Sequence, residues 1–159
     1  MAELARCFGA EPEAPQNEPQ PRRARFEFPL DNAVEGCVRE TFGALLAHHQ
    51  AGLASDPVIA AQMARITEDE TRHAELSWHV AAWLEPQLSA AERAELQRAS
   101  VAAREQLGRE SWVDALAEAD RLAVGLPSAR VARALLEEFG CRCEPLRTQA
   151  SLHRYRLNS

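Results

Sequence analysis

The chain has 159 residues, 46% of them apolar and only 6% aromatic, with seven glycines and a net charge of −6. That length fits one domain with a real core, and an apolar fraction dominated by Ala and Leu favours helix over sheet, so the expected class is all-α. Both signs of charge are mixed and no basic patch stands out, which argues against a nucleic-acid partner. The apolar runs are far shorter than the ~20 residues a bilayer requires. No charged stretch leads into an apolar one at the start, so the expectation is no membrane, no signal peptide and a cytoplasmic protein.

Residues 1–10 read as the last turns of a helix ending at Gly9. Pro12, Pro15, Pro19 and Pro21 then make residues 11–29 an extended connector. It is long for a loop inside a compact domain, as a crossover between distant ends of a bundle would be. A helical domain follows over 30–140, with a tail over 141–159. Its first helix is expected from about Asn32 to Ala54, with Asn32 as N-cap and Glu35 completing a capping box. Ser55-Asp56-Pro57 ends that helix and starts the next, with Asp56 as cap and Pro57 at the first helical position. The second helix runs to about Glu85, before Pro86, and the short linker makes the two helices antiparallel neighbours.

Ser89 to Glu92 is a capping box for a third helix over 89–109, whose weak apolar stripe (Leu96, Val101, Leu107) suggests a solvated element. A fourth segment starts at Ser111 and is broken by Gly125-Leu126-Pro127; a short last helix from Ser128 to Phe139 is stopped by Gly140. Four cysteines, Cys7, Cys37, Cys141 and Cys143, are too few for a disulfide framework. Cys141-x-Cys143 with His153 has the residue types for zinc without the usual spacing.

The chemistry lies on the first two helices. Along the second, Ile59, Met63, Ile66, Glu70, His73, Ser77, Val80 and Leu84 recur at steps of three and four, so a carboxylate and an imidazole occupy the middle of an apolar stripe. A buried carboxylate is costly unless it is paired or binds metal, and positions i and i+3 project from one face. On the first helix, Ala33, Cys37, Glu40, Ala44, Ala47 and Ala51 form a stripe of small residues with one acid. Glu40 lies fourteen residues before Ala54 and Glu70 fourteen after Asp56. At ~1.5 Å per residue both stand about 21 Å from the turn, which brings Glu40 level with Glu70 and His73. His48 and His49 near the helix end, and His79 off the stripe, read as surface or interface residues. Trp78 and Trp83 read as packing residues, Cys37 as a small core residue, and Arg72 and Asp69 as a surface pair or a support for His73.

The string from Ile66 to Trp78, with Asp69-Glu70-x-Arg72-His73-Ala74 at its centre, resembles the signature of ferritin-like proteins, and so does Glu35 to Thr41 thirty residues upstream. The resemblance is to ferritin-like domain proteins of bacteria, myxobacterial ones among them; it covers about residues 1–140 and is specific over 32–84. It implies a ferritin-like antiparallel helical bundle and a carboxylate site for two iron or manganese ions, used for Fe(II) oxidation or oxygen chemistry. Glu70 would bridge, with Glu40 and His73 as terminal ligands. The full constellation needs four carboxylates and two histidines, and this chain holds half of it. The resemblance therefore implies a second subunit in a homodimer, or a helix pair preceding this stretch in a longer gene product. The alternative is a helical structural or interaction protein that kept the residues and lost the metal.

Overall fold

The computed structural model of the protein describes residues 6–7, 9–11, 24–109 and 116–140. Among these the regular elements are all helical. Helix α1 (Glu27–Asp31) passes without a break into a π-helical segment (Asn32–Glu40), which continues as α2 (Thr41–Leu53). Helix α3 (Pro57–Leu84) returns antiparallel to it and ends in a 3-10 turn (Glu85–Gln87). Then come α4 (Ala90–Arg109), the short α5 (Glu118–Ala123) and α6 over 129–140. No helix of the described residues is long and apolar enough to cross a membrane.

The first helix begins earlier than its capping signal suggests. Glu27 to Pro29 are helical, so the connector does not extend to residue 29, and Asn32 sits inside the helix. Its amide is used across the bundle instead: Asn32 Nδ2 donates to the Ser77 carbonyl at 3.0 Å. Glu35 makes no capping box and pairs with Arg39 at 3.5 Å. Tertiary contact outcompetes a local cap because a half-buried amide must find an acceptor wherever the neighbouring helix supplies one.

The π-helical turn has a visible packing counterpart. Gly36, Cys37 and Val38 are buried in succession, and a wider i→i+5 turn spreads successive residues over a smaller arc than an α-turn does. Gly36 lies so close to α3 that a Cβ there would stand 2.4 Å from Ser77 Oγ and 2.7 Å from Ser77 Cβ. Cys37 Sγ lies 3.5 Å from the same Ser77 carbonyl.

The turn between α2 and α3 forms as its residues dictate. Asp56 accepts from the backbone N–H of Val58 at 2.8 Å and of Ile59 at 3.3 Å, with Pro57 in the first turn. Asp56→Ala is expected to destabilise the fold by ~1 kcal/mol, about 2–4 °C in Tm for a chain of this size; a calorimetric Tm within 1 °C of the parent would contradict the capping role. At α4, Ser89 N–H donates to Glu92 Oε2 at 2.7 Å and Glu92 N–H to Ser89 Oγ at 3.2 Å. The backbone bond from Ser89, followed by the side-chain bond from Ser89, holds the Glu92 carboxyl below its ordinary value.

The core lies on one side of the α2–α3 pair. Val38, Phe42, Ala103, Leu107 and Phe139 form its centre, with Trp78, Leu45 and Leu136 packed against it. Helix α4 is thus less solvated than its weak stripe suggests: Ser100, Ala103 and Leu107 are buried, whereas Val101 is exposed. A small residue serves the inner face here because α4 lies against the π segment. Trp78 packs as expected and donates from Nε1 to Thr41 Oγ1 at 3.0 Å. Trp83 does not pack; it is 65% exposed.

The C-terminal end of α5 and the turn after it close the far end. Ser55 N–H donates to the Leu122 carbonyl at 3.2 Å, Asp56 N–H to Ala123 at 3.3 Å, and Gln50 Nε2 to Val124 at 2.9 Å. Gly125, with φ +67°, sits directly on the end of α2. The start of the fourth segment at Ser111 and the Cys141-Cys143-His153 group lie outside the described residues.

Candidate metal centre

Glu40 ends the π segment, so the fourteen residues from it to Ala54 keep α-helical spacing, and the irregularity before it does not change the height of Glu40 above the turn. Glu70 and His73 stand on adjacent turns of α3. One ligand atom from each of Glu40, Glu70 and His73 lies within 4.8 Å of the other two. Two helices thus converge three donors: two carboxylate oxygens and one imidazole nitrogen.

The site is more open than an apolar stripe would make it. Glu40 and Glu70 are half-buried and the His73 side chain is 58% exposed. The buried position beside them is Ala74, at 7%, so the inner stripe of α3 runs through Glu70 and Ala74 and leaves His73 on its flank. The reason is the closeness of the helices: with Gly36 against Ser77, a small side chain fits between them and an imidazole does not.

His73 Nδ1 is 3.9 Å from Glu70 Oε2. That is too long for a hydrogen bond, and it leaves a gap on the scale of an ion. Donors bound at ~2.1 Å to one ion stand at most about 4.2 Å apart, so small rotations close the group on a cation. Two carboxylate oxygens within 4.8 Å of each other repel by about 1–3 kcal/mol over the dielectric range from water to protein surface, and a divalent cation reverses that sign. Oxygen and imidazole donors suit iron, manganese or zinc.

The neighbouring exposed pair on α3 is turned to solvent. Arg72 bonds Asp69 at 3.0 Å and lies 3.8 Å from Glu68, all on the solvent side, so this pair does not support His73. Cys37 is buried one turn from Glu40. His48 and His79 are exposed, and His49 is half-buried. Burial, and then the neighbouring His48, lower the His49 pKa from its ordinary value.

The residues that hold the register of the site, Asn32, Gly36 and Ser77, carry no metal-ligand signature. The one sequence signal for them is Gly36 itself: a mid-helix glycine costs ~1 kcal/mol against alanine and is kept where a backbone approaches closely. Compared with protein-family models, with curated proteins and with solved structures, the chain finds no match in any of the three.

Proposed function

We propose that the chain is a ferritin-like metal-binding protein that holds divalent iron or manganese through Glu40, Glu70 and His73. The observation that carries this reading is the convergence of the three donors from two helices to within 4.8 Å. Glu40 and Glu70 would hold the ion through oxygen and His73 through a ring nitrogen. When bound, such a carboxylate–imidazole metal centre supplies Fe(II) oxidation or oxygen activation. The chain's own part is to fix two acids and one imidazole on helices that Ser77, Asn32 and Gly36 lock in register, and to leave one side of the group open to solvent through His73.

The deciding experiment is metal content. Protein loaded anaerobically with Fe(II) and desalted is expected to retain about one ion per chain, since two carboxylates balance one divalent charge. Retention of no iron and no manganese would overturn the reading. The exposure of Leu76 and Trp83 supports a second reading, a non-catalytic helical interaction protein. In that case replacing Glu70 and His73 together by Leu would leave stability unharmed, and no metal dependence would exist to lose.

A further inference from the structure

The three donors are unevenly placed. Glu70 and His73 stand on one helix, a turn apart, so α3 alone fixes their spacing. Glu40 comes from the other helix, so its distance to the pair depends on how the two helices are held together. Two hydrogen bonds near the group join them. Asn32 Nδ2 donates to the Ser77 carbonyl at 3.0 Å, and Trp78 Nε1 donates to Thr41 Oγ1 at 3.0 Å. Asn32 starts the π segment and Thr41 directly follows it, so both ends of the irregular segment are pinned to adjacent residues of α3. The Asn32 bond is separated from Glu40 by the length of that segment. The Thr41 bond lies on Glu40's own side of it, at the next residue.

The indole is well placed for this. Glu70, Ala74 and Trp78 recur at steps of four on α3, and side chains on a helix lean toward its N-terminus. Trp78 therefore leans back toward the level of buried Ala74 and the donors. Its ring packs against the core, and a half-buried indole N–H requires an acceptor, which Thr41 supplies. Apolar packing is non-directional, whereas a hydrogen bond has a preferred length and angle. Donors closing on one ion tolerate errors of only ~0.2 Å in distance.

We infer that Thr41 and Trp78 are positioning residues for the metal-donor group: their bond sets how far the Glu40 carboxylate stands from Glu70 and His73. The inference rests on the metal-binding reading. Neither residue belongs to the donor group; both act through the backbone beside Glu40.

The test is the Kd of the full chain for Mn(II), read from the EPR signal of the free ion, with the metal-free thermal midpoint measured on the same samples. Thr41→Val keeps the shape and removes the acceptor. Trp78→Phe keeps an aromatic ring and removes the donor. Each is expected to weaken Mn(II) binding about ten- to a hundredfold, the range for groups that orient a metal ligand. Thr41→Ser keeps the hydroxyl and should bind as the parent does. The double variant should bind no more weakly than the weaker single one, because both changes remove the same bond. Ser89→Ala, which opens the capping box of α4, should lower the midpoint and leave Kd unchanged, so that lost stability is not mistaken for lost positioning. Thr41→Val and Trp78→Phe proteins that bind Mn(II) like the parent overturn the inference and leave the metal site standing. Additive losses in the double variant overturn a role through the bond. A parent that binds no Mn(II) removes the metal-binding reading and this inference with it.

Discussion

Gly125→Ala is expected to lower the thermal midpoint by roughly 5–20 °C. Two penalties combine. At φ +67° an L-residue pays about 1–2 kcal/mol for the left-handed backbone. The new Cβ would also stand 2.5 Å from Ala54 N and 2.8 Å from the Gln50 carbonyl, both backbone atoms that cannot swing aside; overpacking of this kind adds ~1–3 kcal/mol. At 2–4 °C per kcal/mol for a chain of this size, the sum is a large part of a typical stability. The damage should be concentrated in the latch formed by Leu122, Ala123 and Val124 on the α2–α3 turn. Gly125→Asn separates the two causes, because Asn tolerates the left-handed region and still carries a Cβ. It should remain destabilised by the contact alone. A Gly125→Ala protein melting within 2 °C of the parent would show that the turn does not bear on α2 as described.

Fe(II) or Mn(II) is expected to stabilise the parent, and Glu70→Ala is expected to abolish that gain. Binding at a free metal concentration one hundred times Kd stabilises a fold by ~2.7 kcal/mol, about 5–10 °C here. Glu70 is one of two half-buried carboxylates in the group, so its loss leaves one acid and one exposed imidazole. Without metal, Glu70→Ala should be no less stable than the parent, because it removes a repulsion between two acids. That opposite response with and without metal distinguishes a site from a packing residue. Glu68→Ala, an exposed acid two residues away that faces Arg72, should keep the full gain. If Glu70→Ala kept it too, Glu70 would not be a ligand.

The helical class, the α2–α3 turn, the capping box at Ser89 and the grouping of Glu40 with Glu70 and His73 were legible from local rules. Each depends on residues close in sequence or on a rise per residue that every α-helix shares. Asp56 caps because its oxygen reaches the next two N–H groups whatever lies beyond. Glu40 meets Glu70 because equal α-helical lengths lead back from one tight turn. The misses have one origin. Asn32 looks like a cap and serves as a cross-bundle donor to Ser77. His73 falls on an apolar period and ends on the open flank, while Ala74 is buried. Trp83 has the size of a core residue and stays in solvent.

The sequence by itself determined which segments are helical, where the central pair turns and which three donors stand level. Periodicity, caps and rise act within one or two turns and need no partner. Only the tertiary structure decided how closely the helices approach, which sides they bury and that the π turn lies directly before Glu40. Those depend on contacts between residues some forty positions apart, such as Gly36 against Ser77. There, one missing Cβ sets the spacing of two helices, and that spacing determines which side chains fit between them.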